Sequence, residues 1–207
     1  MKKGKLTEAF YVREDVVQIS KDLLGKFLYT SMGGIQTGGM IIETEAYAGV
    51  TDRASHAYNN RRTARTEIMY REGGTAYVYL CYGIHSLFNV VTNTEDIPHA
   101  VLIRAILPTD GIDVMLRRRG KKKLDTTLAA GPGSVSAALN IHYSHTGKNL
   151  LGDEIWIEDK GVKIRPYEII AGPRVGVDYA GKDAFLPWRF SIVNLYKFAE
   201  QSEREHI

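Results

Sequence analysis

Two carboxylates, Glu43 and Glu45, stand one residue apart in the run Ile41-Ile42-Glu43-Thr44-Glu45-Ala46-Tyr47. The run is strand-like, and a strand alternates its side chains, so Glu43, Glu45 and Tyr47 share one face while Ile42, Thr44 and Ala46 share the other. Burying an unpaired carboxylate is costly. Such a face therefore either meets water or lines a cleft in which the charge is used, for example to activate water as a general base. Arg104 is the lone charge in the apolar run Val101–Leu107 and calls for an anionic partner, Glu43 or Glu45 being the nearest by chemistry; the alternative is a snorkelling edge residue. Tyr77 and Tyr79 alternate in Ala76–Cys81, and Tyr82 follows beside Gly83. Their rings either pack across strands in a core or stack on a planar ligand.

The elements that position these groups are legible in outline. Acids in a first turn, Val16, Ile19 and Leu23 at helical spacing, and a closing glycine predict a helix over Glu14–Gly25. Lys26–Thr30 is a strand, Met32-Gly33-Gly34 a turn, and Thr37–Tyr47 the strand that carries the acids. Residues 49–71 gather Arg53, Arg61, Arg62, Arg65 and Arg71 around His56, Tyr58, Asn59 and Asn60, either as a solvated loop or as a basic contact surface. Ala76–Cys81 and Ile84–Thr92 form a hairpin with Tyr82 and Gly83 at its tip. A strand at Val101–Leu107 leads to a helix at Asp110–Leu116. Then comes Arg117–Lys123, cationic at every position but Gly120, which is expected as a solvated loop with phosphate contact as the other reading. Gly131–Ser134 introduces a helix at Val135–Ile141, with Ser134 as its cap or its amides free for a phosphate. Glu154–Glu158 and Val162–Arg165 are expected to pair as a hairpin, Ile169–Val177 to form a glycine-interrupted strand, and Phe190–Leu195 to close the ordered part.

Composition excludes several functions. The 207 residues suffice to bury a core without staples, and a net charge of +3 favours anionic partners only mildly. Cys81 is the only cysteine, which rules out an internal disulfide, a thiolate zinc site and a cysteine-ligated iron–sulfur cluster, and suits a reducing compartment. No apolar run is long enough to span a bilayer, and the basic start is followed by Thr7-Glu8 and not by a secretory apolar stretch. Walker, G-x-G-x-x-G, G-x-S-x-G and H-E-x-x-H patterns are absent, and His142-Tyr143-Ser144-His145 reads as surface, so no metal and no cofactor is expected. A carboxylate–arginine site beside basic loops and a tyrosine hairpin suits hydrolysis next to a polyanion.

Glu43-Thr44-Glu45-Ala46-Tyr47, then His56, then Gly74-Thr75-Ala76-Tyr77-Val78-Tyr79-Leu80-Cys81-Tyr82-Gly83 with Asn89 beyond, closely resembles the alkyladenine (3-methyladenine) DNA glycosylase family. Leu102-Ile103-Arg104-Ala105, Ala130-Gly131-Pro132-Gly133, Arg174-Val175-Gly176-Val177 and Pro187-Trp188-Arg189-Phe190 follow in the family's order. The resemblance implies a monofunctional enzyme that flips alkylated or deaminated purines out of double-stranded DNA from the minor-groove side and hydrolyses the N-glycosidic bond. It implies Glu45, and not Glu43, as the carboxylate that activates water, with Arg104 and the backbone near Val175 orienting that water. Tyr47 and Tyr79 would sandwich the flipped base, His56 would contact its edge, Asn89 would screen purines by their exocyclic amine, and Tyr82 would fill the vacated stack. Glu43 receives no role beyond partnering a basic residue.

Elements and resemblance together give an α+β fold: a single domain over residues 1–207 with a curved, mainly antiparallel sheet, flanking helices and a protruding hairpin, frayed at 1–8 and 200–207. A monomer is expected, without a membrane partner, acting on bacterial nucleoid DNA in the cytoplasm or in the nucleus of a eukaryote. Two other classes remain open on the residues alone, a non-catalytic binder of distorted DNA and a hydrolase of free nucleosides.

Overall fold

The longest strand is the one that carries the acid pair. The structure, a computed structural model, describes residues 4–193 and places that pair on β2, Ile35–Tyr47. β2 pairs along its length with β5, His99–Asp110, and the two form the spine of an eight-stranded antiparallel sheet that curls into a half-barrel. On its other edge β2 changes partner. Ile35 to Met40 pair with β1, Phe27–Met32, whereas Glu43 to Glu45 pair with β8, Arg189–Ile192. Register shifts at Ile41, Glu43 and Thr44 mark the changeover, and such bulges bend a strand and re-aim its side chains.

β3, Ala76–Cys81, and β4, His85–Thr92, form the hairpin beside β5, and β6, Ile155–Glu158, closes the other edge on β1. β7, Ile169–Gly172, pairs with β8. A one-turn helix α1, Glu8–Tyr11, precedes α2, Val16–Asp22. α3, Ile112–Arg119, and α4, Pro132–Leu139, pack on one another, and α4 also packs on β4 and β5. α2 is fixed to the face of β2 opposite the acids, where Ser20 Oγ donates to Thr44 Oγ1 at 2.9 Å and Thr44 Oγ1 donates to the Ser20 carbonyl at 2.9 Å, both buried. Gly38 makes room for the ring of its cross-strand neighbour Tyr29 on β1, since any Cβ there would meet that ring.

Several expectations are corrected. α2 is shorter than Glu14–Gly25: Asp15 caps it by accepting from the Gln18 N–H, and Gly25 at φ +81° turns the chain into β1. α4 starts earlier than Val135, with Pro132 in its first turn, and Asn140 in the left-handed region ends it, so Ser134 is no cap; its hydroxyl accepts from Arg119. Val162–Arg165 is no strand. The edge of β6 that it would need is taken by Lys5 and Leu6, with Leu6 N–H donating to Ile157 O at 2.8 Å. The same contacts order the chain from Gly4 onward, where fraying was expected to residue 8. The expected fraying at 200–207 lies outside the described residues, as does the end of the strand expected over Phe190–Leu195. Strand pairing of Ile169–Val177 stops at Gly172, before Pro173.

The cationic run Arg117–Lys123 is not one loop either. Its first three members complete α3. Arg118 donates to Ala138 O at 2.9 Å and so satisfies a carbonyl at the end of α4, while Arg119 donates to Leu128 O and Ser134 Oγ. Arg117 pairs with Asp113 and Lys121 with Asp125, which leaves Lys122 and Lys123 with no ion pair among the described residues. Residues 49–71 are likewise more than a solvated loop. Three 3₁₀ turns let Ala57, Met69 and Tyr70 pack on Tyr77, Val91 and Ala100 as a second small core.

Candidate active site

Beyond its bulge β2 turns Glu45 inward, where it is fully buried. A carboxylate persists there only if its lone pairs are satisfied. Oε1 accepts from the Val175 N–H at 2.8 Å, Oε2 accepts from the Tyr47 hydroxyl at 2.8 Å, and Arg104 Nη1 lies 3.3 Å from Oε1. Burial pushes the Glu45 pKa up, while Arg104, the Val175 amide and the Tyr47 hydroxyl pull it back. A carboxylate kept more basic than usual suits proton abstraction from water. The Tyr47 hydroxyl is held protonated by its own burial and by the neighbouring charge, and so acts as a donor to Glu45.

Glu43 lies on the same face with a different task. Its Oε1 accepts from Arg189 Nη1 at 2.9 Å and stands 3.4 Å from Arg104 Nε, so it forms ion pairs with two arginines, one of which faces Glu45. Of the two candidates for pairing with Arg104, both are used.

The acids adjoin a cleft of about 520 Å³ between the hairpin, the end of β2 and the Arg174–Val177 turn. Tyr47 and Tyr79 line it, as do His56, Asn89, Arg104 and Val175, and Tyr82 stands at its mouth. Tyr77 and Tyr79 share a face of β3 as expected, with ring centroids 5.4 Å apart, and His56 meets the Tyr79 ring edge-on at 4.7 Å. His56 Nδ1 is 2.8 Å from the Tyr77 hydroxyl. Burial, with Arg65 and Arg61 adding repulsion, lowers the His56 pKa to about 4 and keeps the ring neutral. Asn89 is buried on β4 and donates to Tyr77 O at 3.1 Å. Tyr82 is 93% exposed at φ +50°, a conformation that costs energy for a bulky residue and that recurs at functional sites. A larger groove of about 840 Å³ lies between α2 and residues 162–166, but its carboxylates Asp22 and Asp159 are part-exposed and paired with Arg13 and Lys26, so it offers no comparable acid.

The family model of methylpurine-DNA glycosylase (MPG) matches residues 9–195. The chain belongs to the methylpurine-DNA glycosylase family. A protein of Chlamydia abortus is 50% identical over 186 residues, covering 89% of this chain and 96% of that protein, and one of Clostridium acetobutylicum is 44% identical over 195 residues, covering 91% and 94%. Both carry the provisional name 3-methyladenine DNA glycosylase. Membership makes the chain a DNA glycosylase, a hydrolase of N-glycosyl bonds.

The cleft residues singled out in this glycosylase's sequence line one cleft, and a buried pair that the sequence did not join helps to hold them there. Arg174 is buried against Asp52, with Nη2 2.8 Å from Oδ1, and its guanidinium covers both Tyr47 at 4.8 Å and Trp188 at 5.1 Å. The pair fixes the ring of Tyr47 and the turn that aims the Val175 amide. Arg174 next to Val175 in a glycine-rich run was the available signal. Tyr77 is the packing residue that its place in a tyrosine ladder predicts, and its hydroxyl also anchors His56.

Proposed function

We propose that this glycosylase flips alkylated or deaminated purines such as 3-methyladenine out of duplex DNA and releases the base with a water activated by Glu45. The carrying observation is the buried Glu45 carboxylate, oriented by Val175, Tyr47 and Arg104 at the wall of an aromatic cleft. A flipped purine between Tyr47 and Tyr79 gains about 1–3 kcal/mol of stacking per contact, which offsets much of the few kcal/mol spent on unstacking it. The cationic 3-methylated base leaves readily as the sugar acquires oxocarbenium character. Glu45 then serves twice, stabilising that charge and deprotonating the water that Arg104 and the Val175 backbone orient. His56 contacts the base edge, and Asn89 screens the exocyclic amine.

Among the described residues no lysine lines the cleft, which supports hydrolysis that leaves an abasic site over attack by an amine. Tyr82 enters the minor groove and fills the vacated stack. A hydrolase of free nucleosides would have no use for that exposed, strained ring. The reading includes action as a monomer on nucleoid DNA in the bacterial cytoplasm; no helix among the described residues is long and apolar enough to cross a membrane.

The test is to incubate the protein with methylated duplex DNA and with free methylated nucleosides, without metal or cofactor, and to identify the released bases. Release from duplex by the wild type, and lesion binding without release by Glu45→Gln, is the expected result. Full turnover by Glu45→Gln, or release from nucleosides alone, would overturn the proposal.

A further inference from the structure

The base-pocket reading leaves Arg65 without a task, although the loop that carries it is braced from several sides. Thr66 Oγ1 donates to Arg61 O at 2.9 Å and accepts from the Thr63 N–H at 2.8 Å, while Arg62 pairs with Glu67 at 2.9 Å and Asp96 at 2.7 Å. From this loop the Arg65 side chain reaches the cleft. Its Cζ lies 4.9 Å from the centroid of the Tyr79 ring, and its Nη2 donates to His56 Nε2 at 3.1 Å. These are the two groups given above to the face and the edge of the flipped base. A guanidinium is planar and cationic and carries N–H donors in its plane, so it presents the same features as a protonated or alkylated purine.

We propose that Arg65 is a built-in occupant of the base pocket, which in the DNA-free protein holds the place of the flipped purine on Tyr79 and His56 and sets the edge chemistry that an incoming base must match. Arginine only donates, so His56 Nε2 must be bare and accepting. The ring hydrogen then lies on Nδ1 and is donated to the Tyr77 oxygen at 2.8 Å. A base that displaces the guanidinium inherits an acceptor. It fits without rearrangement when it offers an N–H there, as an exocyclic amine or a protonated ring nitrogen, and a base offering a bare nitrogen must first force His56 into its other tautomer. Arg65 is thus a positioning residue that acts on specificity through His56. The inference rests on the base-pocket reading and deepens it.

Nitrogen-15 NMR of the histidine rings in the DNA-free protein, for wild type and Arg65→Met, reads the tautomer directly, with His56→Gln to assign the signal. Titration of both proteins with free 3-methyladenine, followed by tyrosine fluorescence, reads the occupancy. The wild type should show His56 with its hydrogen on Nδ1. Arg65→Met should move the major form to Nε2–H and bind the free base several-fold more tightly, because nothing has to be displaced. An unchanged tautomer, or base affinity no higher in the variant, overturns the inference. Wild-type protein that releases no base from methylated duplex would instead sink the base-pocket reading. Normal release together with indistinguishable wild-type and Arg65→Met readouts sinks the Arg65 role alone.

Discussion

The cleft and the tip of the β3–β4 hairpin treat their side chains in opposite ways. Around the cleft, charged groups are paired: the buried Glu45 has three partners, the part-exposed Glu43 has two, and the Asp52–Arg174 pair is entirely buried. At the tip, Tyr82 is 93% exposed and Ile84 73%, with Tyr82 and Gly83 both at positive φ, so most of their apolar surface faces solvent. Burial without apolar cover and exposure without polar cover are both unfavourable for a protein alone. The difference teaches that the cleft is assembled by the fold itself, while the tip leaves its apolar surface open, as the proposed wedge role requires.

If that contrast is right, substitutions in the two regions separate stability from binding. The largest effect on folding belongs under the cleft. Asp52→Ala strands the buried Arg174 charge and should cost about 3–5 kcal/mol in denaturant unfolding; a loss below about 1 kcal/mol would mean that the pair does not hold the site. Tyr79→Ala should weaken binding to lesion duplex by the stacking of one base, about 1–3 kcal/mol. Tyr82→Ala should leave unfolding within about 0.5 kcal/mol of wild type, as for an exposed substitution, yet weaken intact lesion duplex about tenfold, or about 1.4 kcal/mol. Its effect on lesions placed in mismatched, already unstacked duplex should be smaller. Equal loss on both substrates would remove the wedge role. The smallest effect is expected at the unpaired end of the cationic run: replacing Lys122 and Lys123 by Gln should lower the slope of log affinity against log salt by about 1–2 if they meet phosphate. An unchanged slope would return them to solvent.

How much of this was legible in the sequence differs by region for physical reasons. Strand alternation was enough to set Glu43, Glu45 and Tyr47 on one face and Tyr77 with Tyr79 on another, because side-chain period is a local property of the backbone. It could not choose between the two carboxylates. The different settings of the two acids depend on where β2 exchanges β1 for β8 and on the amide that Val175 presents, and β8 and Val175 lie more than a hundred positions away. The failed hairpin at Val162–Arg165 has the same origin, since the turn signal was present but Lys5 and Leu6 had taken the edge of β6. Arg118 and Arg119 read as solvated charge because their acceptors, the Ala138 and Leu128 carbonyls with the Thr37 and Ser134 hydroxyls, are neutral groups that no charge pattern reveals. The pairing of Asp52 with Arg174 is hidden for a related reason: Arg174 stands in a recognisable run, but a buried pair across the chain has no spacing rule that names its partner.

In the proposed mechanism Glu45 performs the chemistry, while Glu43 pairs with Arg104 and Arg189 and takes no part in the reaction. Single-turnover base release from one lesion duplex, compared between Glu43→Gln and Glu45→Gln, tests it most directly. Glu45→Gln should lose about 10²–10⁴-fold, the range for removing a general base, whereas Glu43→Gln should stay within about tenfold of wild type. Equal losses, or a larger loss for Glu43→Gln, would contradict the account.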